Sequence, residues 1–563
     1  MNDLVKVVMF SVWFGGMAFS APLLAQTPPR QNNSVQNLSQ FQENERRRPK
    51  LPPPQEFLPD ELILEEDLQT IPQTITVKGF KFVGNTVFTG EELTQLTIDL
   101  VGESVSFAAL LEARSRVTEH YINHGYITSA AYLPSGQVIE DGIVTIKVIE
   151  GSLKQINIEG LERLTPNYLR SRIKTNLSTP LQINDLVTVL EQLKRNRLLE
   201  NLTAELAADS QVGESILNLK VQPANPIDVG LAVNNYQSRT IGVWQQKLQL
   251  QHHNALGWGD RLSLSYENTG GGNQWGVDYI LPINGKNGTI RFSYQNFDAD
   301  VIEEPFNQVD LETASRKYEI ALRQPLINKL TEEFALGAVL FHQISETRLL
   351  GVQFPLSQGA EEDGVTRLSG VRFFQEWSHR SPQDVVLVRN QFNFGMNWLD
   401  ATENDTAPDS NFFSWQLDGQ WLHSFGEDHL LVTRLRGQLT DRPVLSAEDL
   451  TIGGVNSVRG YRRDLYLLDR GVLASIEYRF PLVRSNDSVV QSFTFLDMAW
   501  GGNTGDFPDP DPNYLASVGI GLRWQLLDRL SAEIGVGIPL VAVSDRNQEK
   551  FLFSISIPYS ATR

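Results

Sequence analysis

Cysteine is absent from all 563 residues. That absence excludes disulfide frameworks, thiolate metal sites and cysteine nucleophiles, and it makes an oxidising compartment harmless to the chain. Basic residues are outnumbered: 48 Lys and Arg stand against 67 Asp and Glu, a formal charge of −19. A general nucleic-acid binder needs clustered cations against phosphate, so no nucleic-acid partner is expected. Long hydrophobic runs are missing beyond the first residues, and the 41% of hydrophobic side chains is dispersed rather than gathered into blocks. No transmembrane helix is therefore predicted in the body of the chain. A membrane protein remains open to it only as a closed β-barrel, the other structure that satisfies every backbone group in lipid.

Patterns for catalysis and metal binding are also missing. His252 and His253 are adjacent in a strand-like stretch and point to opposite faces, a poor metal pair. Asp506, Asp509 and Asp511 carry charge enough for calcium, yet interleaved prolines and the lack of a closing Glu break the EF-hand pattern. Gly270-Gly271-Gly272 lacks the Lys-Ser/Thr of a phosphate loop and reads as a hairpin turn. No Ser/His/Asp set stands out. The chain is expected to be no enzyme and to carry no cofactor and no metal.

What is present divides into segments. Lys6 precedes the apolar run Val7 to Phe19, and Ala18, Ser20, Ala21 and Ala25 offer small residues for cleavage, so 1–25 reads as a signal peptide. A membrane anchor is the alternative, but the run falls short of the roughly 17 residues a spanning helix needs. Residues 26–72 form a proline-rich spacer with room for a short helix, marked by Pro28, Pro29, Arg46 to Arg48, Pro49 and Pro52 to Pro54. Proline fixes φ and removes donors, which favours an extended, solvated tether.

Residues 73–151 follow a β-α-α-β-β plan. Ile75, Val77, Phe80 and Phe82 are strand-like, Gly84-Asn85 turns, and Glu91 to Leu100 reads as helical. Leu110, Val117 and Tyr121 recur near 3.6 residues on a second helix that ends at Gly125. Strands are predicted at Thr128 to Leu133 and Val144 to Val148. Residues 152–224 repeat the plan: Ile156 and Ile158 before Gly160, Pro166 opening a helix after Thr165 with Leu169 and Ile173 on one side, then Leu186, Leu190 and Leu193, and two further strands.

From about 227 onward the period becomes two, as in Leu262, Leu264, Tyr266 and Ile290, Phe292, Tyr294, with Gly, Asn and Asp turns between runs. About 337 residues at about 21 per strand and connection predict roughly sixteen strands, within the range of outer-membrane barrels. The expected fold is mainly β, with a 16-stranded antiparallel barrel over 225–563. Pro282, Pro325, Pro481 and Pro539 each follow an alternating run and are expected at strand ends beside short turns of one rim. The stretches 298–314, 356–366 and 503–513 are then loops of the opposite rim, and Trp244, Trp258, Trp275, Trp398 and Trp421 suit interfacial girdles. A β-propeller would need a blade repeat of about 40 residues with its own motif.

The most specific segment is Gly453-Gly454-Val455-Asn456-Ser457-Val458-Arg459-Gly460-Tyr461, continuing through Asp469-Arg470-Gly471 to Glu477-Tyr478-Arg479-Phe480-Pro481. It resembles the signature of the two-partner secretion transporters, the ShlB/FhaC/HecB-type haemolysin secretion/activation proteins. Phe82 to Thr86, Tyr121 to Tyr126, Leu133-Pro134, Asp141-Gly142 and Glu150-Gly151 resemble that family's first polypeptide-transport-associated (POTRA) domain, and residues 152–224 resemble the second. By this resemblance the loop 453–471 folds back into the barrel as a pore or gating loop through Gly453, Gly454, Val458, Arg459, Gly460 and Tyr461. Its wall partners are Phe495 and Asp497 in Phe495-Leu496-Asp497-Met498-Ala499. The plain alternatives are a rim arginine without a role and an acid of an ordinarily polar lumen wall.

The chain departs from the family pattern at Ala499 and Leu468, where glycine is usual, and Leu133-Pro134-Ser135-Gly136-Gln137 carries one extra residue. The resemblance implies an outer-membrane location with the POTRA domains in the periplasm, a monomer surrounded by lipid, and export of an unfolded secreted partner captured by POTRA surfaces within 73–224. A membrane-protein insertase of the same superfamily and a passive porin are the alternatives.

Overall fold

The computed structural model describes residues 74–560 apart from 140, 427–428, 486, 527–529 and 545–546. The expected signal peptide (1–25) and spacer (26–72) lie outside the described residues. Those described fall into two compact units, 74–224 and 225–560.

The first unit holds two α/β modules. The first runs β1 (Ile75–Thr76), β2 (Gly79–Val83), α1 (Gly90–Gln95), β3 (Ser104–Val105), α2 (Phe107–Asn123), β4 (Ala130–Tyr132) and β5 (Ile143–Ile149). Its main sheet has the order β2-β5-β4, with β2 parallel to β5. Thr89 and Glu92 close a capping box at the start of α1, and Gly125, at φ 90°, turns the chain after α2. The stripe Ala113, Val117 and Tyr121 on α2 packs on Ile146 and Val148 of β5.

The helix read over Glu91 to Leu100 is interrupted. α1 stops at Gln95 and a separate 3₁₀ turn covers Ile98–Leu100. The β-branched pair Thr97-Ile98 disfavours a continuous helix, and the Thr97 hydroxyl donates back to the Thr94 carbonyl at 3.3 Å. The strand read over Thr128 to Leu133 shortens to Ala130–Tyr132, and the Ser129 amide is spent in a local turn on the Tyr126 carbonyl at 3.0 Å rather than in the ladder.

Three separated stretches of the first module meet at one carboxylate. Glu150 accepts from the amides of Thr86 (2.6 Å) and Val87 (2.9 Å), from the Thr86 hydroxyl, and from the Tyr121 hydroxyl at 2.8 Å. Gln137 exchanges two bonds with the Thr145 backbone, so the lengthened 133–137 turn still anchors to β5.

The second module runs β6 (Ser152–Glu159), α3 (Pro166–Thr175), α4 (Ile183–Lys194), β7 (Leu199–Ala208) and β8 (Glu214–Pro223), with sheet order β6-β8-β7. Leu169 and Ile173 of α3 join Leu186, Leu190 and Leu193 of α4 in one core against the sheet. Main-chain bonds join the modules: Leu181 N to Gly151 O at 2.7 Å and Ile183 N to Gly125 O at 2.9 Å. Gly151 is obligatory there, since a Cβ would stand 2.2 Å from the Thr128 hydroxyl.

The second unit is a closed antiparallel barrel. Its first strands are β9 (Ile227–Asn234), β10 (Gln245–His253), β11 (Arg261–Asn268), β12 (Gly272–Pro282), β13 (Thr289–Asp300), β14 (Leu311–Asn328) and β15 (Glu332–Leu349). A two-residue β16 (Val352–Gln353) pairs back on β15. There follow β17 (Val365–Arg380), β18 (Asp384–Gly395), β19 (Phe413–Ser424) and β20 (Leu430–Thr440). Three short strands, β21 (Leu450–Ile452), β22 (Gly460–Tyr461) and β23 (Tyr466–Leu468), lie outside the barrel sheet. The wall resumes with β24 (Arg470–Arg484), β25 (Ser488–Gly502), β26 (Tyr514–Leu526) and β27 (Leu530–Pro539). After the short β28 (Gln548–Glu549), β29 (Phe551–Ser560) pairs with β9 and closes the ring at sixteen strands.

Alternation decides what each face meets. Along β25, Leu496 and Met498 are 38% and 52% exposed on the outer face while Asp497 between them is 0% exposed. Outward Leu264, Phe292, Leu340 and Ile520 repeat the pattern around the ring, an apolar exterior suited to lipid. All five tryptophans singled out above are exposed.

The prolines follow their expected rim only in part. Pro282 ends β12 beside a short turn, but Pro325 and Pro481 lie inside β14 and β24, where a register shift follows each. The bulge absorbs the missing N–H, so neither needs a strand end. Pro539 ends β27 opposite Ser517, next to the long 503–513 loop and so at the other rim, because β27 runs antiparallel to the strands that carry the rest.

Burial pushes the Glu150 carboxyl up, but the Thr86 hydroxyl and the Val87 and Thr86 amides outweigh it and hold it below the usual glutamate range. Glu150→Ala is expected to cost the first module about 2–3 kcal/mol, read as faster hydrogen exchange in 80–150. Because the folded pKa is depressed, this contribution is full at neutral pH and is lost as pH falls through the lowered value, so wild type and variant converge in acid.

Candidate functional site

Residues 441–469, between β20 and β24, do not extend the wall; they fold against its inner face. β21 and β23 pair as a ribbon, and β22 at the tip pairs with β28. Gly453 and Gly454, at φ 111° and 82°, make the tip: a Cβ on Gly453 would stand 2.2 Å from the Arg462 carbonyl oxygen. Leu450, Ile452, Val458, Tyr461 and Leu468 pack with Leu473, Ala499 and Leu515 of the wall. Leu468 and Ala499, the two departures from glycine, therefore meet in one apolar cluster. At the loop base the Glu448 carboxylate is held by Arg372 of β17, and Asp469 accepts from the amides of Val444 (2.9 Å) and Thr504 (2.7 Å).

Arg459 reaches the wall from the tip. Nε and one terminal nitrogen grip Asp497 at 2.7 and 2.8 Å, and the Arg459 amide donates to the same carboxylate at 3.1 Å. The other terminal nitrogen donates to Glu477, and the guanidinium plane lies 3.5 Å from the centre of the Phe495 ring. Ser475 accepts from Arg459 at 3.3 Å and donates to Asp497 at 2.7 Å. Arg459 is 4% exposed. A charge so enclosed is tolerable because its donors are saturated by two carboxylates, a hydroxyl and a π face.

The neighbouring residues fit the same niche. Tyr461 is fully buried, its hydroxyl donating to Ala516 O at 2.8 Å and accepting from Val541 N at 3.0 Å. Gly460 lies backbone to backbone on Gly537 of β27, where a Cβ would meet the Gly460 amide at 2.7 Å. Phe493 and Phe495 lie over a glycine floor: a Cβ on Gly519 or Gly521 would stand 2.2 Å from their rings.

The structure thus brings Gly453, Gly454, Val458, Arg459, Gly460, Tyr461, Phe495 and Asp497 into one constellation. Sequence reasoning missed Glu477, Ser475, the glycines of β26 and β27, and a second anchor of the tip. Alternation from Ser475 puts Glu477 on the same face, and glycine at period two in 519–521 and 535–537 was a readable sign of close approach. The second anchor had no local sign. Arg462 forks onto Glu303, 159 residues away, at 2.9 and 2.7 Å, and donates to the Thr240 hydroxyl at 2.8 Å.

Two of the weaker candidates have structural employment. His253 bonds Asp228 at 2.9 Å, and Asp509 accepts from Asn503 N at 2.7 Å. Among the described residues no group of three or more His, Asp or Glu is disposed to hold a metal.

Removing one partner of the buried pair leaves the other charge stranded. Arg459→Ala and Asp497→Ala are each expected to cost the closed barrel about 3–5 kcal/mol, and the double variant less than the sum, as measured by thermal unfolding in detergent. Gly537→Val leaves the wall strands paired but expels the tip, which protease accessibility of 453–463 will report.

Comparison with known proteins supplies the context. The profile of the family described as "Haemolysin secretion/activation protein ShlB/FhaC/HecB" matches residues 213–524, and that of the ShlB-type POTRA domain matches 75–151. The outer membrane transporter CdiB of Dickeya dadantii is 23% identical over 95% of this chain and 94% of its own length. The heme/hemopexin transporter protein HuxB of Haemophilus influenzae is 24% identical over 83% of both chains. The solved structure of CdiB from Escherichia coli, at 21% identity, shares the fold with a TM-score of 0.66 over 93% of this chain and 97% of that one. With over half of its length matched by the profile, and with a sixteen-stranded barrel behind it, the chain belongs to the ShlB/FhaC/HecB family of haemolysin secretion/activation proteins.

Proposed function

We propose that this protein exports a secreted partner across the outer membrane. In this reading 73–151 and 152–224 are POTRA domains in the periplasm that capture the partner unfolded, and the barrel, 225–563, passes it to the surface as the loop 453–471 shifts or leaves. The observation that carries the reading is a loop folded against the inner face of the barrel and held there only by non-covalent bonds, at Asp497 and Glu477 and again at Glu303 and Thr240, so that it can be released. CdiB and HuxB are themselves named transporters.

Capture suits the edges of the modules. Strands β2 and β4 in the first sheet, and β6 and β7 in the second, each have one unpaired side within their sheet. Strand addition there would bind through main-chain bonds with little demand on sequence, as an unfolded client requires. Folding of the emerging chain outside supplies direction by making return unfavourable. One copy in lipid suffices, and the reading assigns no chemical step.

An insertase would need a wall that parts between its first and last strands. Seven residue pairs join β29 to β9, against eight between β9 and β10, so this seam is not conspicuously weak. A passive porin leaves the two modules without a purpose.

Deleting 74–222 is expected to abolish export while leaving a heat-modifiable barrel; unchanged export would refute capture. A cross-link between β9 and β29 is expected to spare export, and loss of activity on cross-linking would favour the insertase.

A further inference from the structure

The wall beside the Arg459 niche carries one arginine that the closed state leaves idle. Arg434 of β20 stands directly across from Ser475 on β24 and from Gln420 on β19, so it shares their lumen-facing side. Among the described residues it makes no hydrogen bond or ion pair, and its side chain is exposed to the lumen. The surrounding arginines are committed: Arg436 to Asp418 at 2.7 Å, Arg479 to Glu477 at 2.7 Å, and Arg523 to Glu533. Glu477 and Asp497 both lie within electrostatic reach of Arg434.

Release of the loop creates a specific problem. Asp497 would lose three of its four donors, keeping only Ser475, and Glu477 would keep only Arg479. Carboxylates stranded in a confined wall oppose opening as strongly as the ion pair itself. A replacement cation must come from the wall, must be free in the closed state, and must reach both acids. Asp497 stands one strand beyond Ser475, and Glu477 two residues along β24 on the same face. At roughly 4.8 Å per strand the Asp497 backbone is about 10 Å from that of Arg434, a gap that an extended arginine and the carboxylate side chain together span.

We propose that Arg434 is the replacement counter-ion, a positioning residue that swings past Ser475 to take the Asp497 and Glu477 carboxylates when Arg459 leaves. The closed and open states then both have neutralised walls, and the exchange of one guanidinium for another keeps the loop releasable. The inference rests on the export reading, because it presumes that the loop moves.

The test uses the full-length protein. Arg434→Ala alone is expected to shift thermal unfolding of the closed barrel by no more than about 1 °C, since the side chain is idle there. In the Arg459→Ala background, where Arg434 has already moved to the acids, the same change is expected to lower the transition by about 5 °C. In planar bilayers Arg434→Ala is expected to reduce the open fraction roughly tenfold, and Arg434→Lys to restore most of it, which a packing role would not do. Equal effects of Arg434→Ala in both backgrounds, or an unchanged open fraction, would overturn the counter-ion exchange.

A separate arm tests the reading beneath it. Tyr461 and Gln548 face each other across β22 and β28, and the chain has no native cysteine, so Tyr461→Cys with Gln548→Cys can lock the tip by oxidation. Blocked export on oxidation, recovered on reduction, supports a moving loop. Undiminished export from the locked protein would overturn the loop movement that the export reading assumes, whichever way the Arg434 cycle comes out.

Discussion

A guanidinium enclosed in a protein wall must have its charge answered where it stands, and around Arg459 much of the lumen is arranged to answer it. Asp497 supplies a two-oxygen grip, Glu477 takes the remaining terminal nitrogen, Ser475 bridges, and Phe495 covers the plane. Each of these side chains points inward only because the strand period is two, and they come together only because β24 and β25 pair Ser475 with Asp497 and Glu477 with Phe495. A one-residue slip in that register would turn the pair on one strand to lipid while the pair on the other still faced the lumen.

Charge alone would not seat the loop, because the backbone must also come close. Gly460 on the tip and Gly537 on the wall leave no room for a Cβ between them, and Gly519 and Gly521 leave space for the phenyl rings that floor the niche. The tip is tied at two places of different kind. Arg459 is sunk among side chains of the wall strands, whereas Arg462 is half-buried among the loops that carry Thr240 and Glu303. A loop held in this way is well defined when closed, yet every tie is non-covalent, which is what the proposed export cycle asks of it.

The modules of the first unit solve a different problem with similar economy. Each is small, with a sheet covered by helices on one face, and the first has a single carboxylate, Glu150, tying the 84–87 turn, α2 and the end of β5 together. The conformational demands at Gly125 and Gly151 fall where the two modules meet through main-chain bonds. Their outer strands keep one side unpaired, the geometry that strand addition by an extended client would use.

Much of this was legible in the sequence, for reasons that are local. Period-two alternation and the length per strand announced a barrel of sixteen strands, Pro166 after Thr165 and Gly125 after α2 marked helix ends, and the 453–461 motif with Phe495 and Asp497 pointed to the niche by family resemblance. Local chemistry could not say which rim holds Pro539, that Thr97-Ile98 would split a helix, or that Glu477 would share Arg459. It gave no hint that Arg462 would find Glu303, or that Arg434 would stand idle beside Ser475. Those facts depend on register and closure, which bring residues scores to hundreds of positions apart onto one small patch of wall. Alternation and capping are properties of a chain and its nearest neighbours, whereas the partner of a buried charge is chosen by the closed ring as a whole.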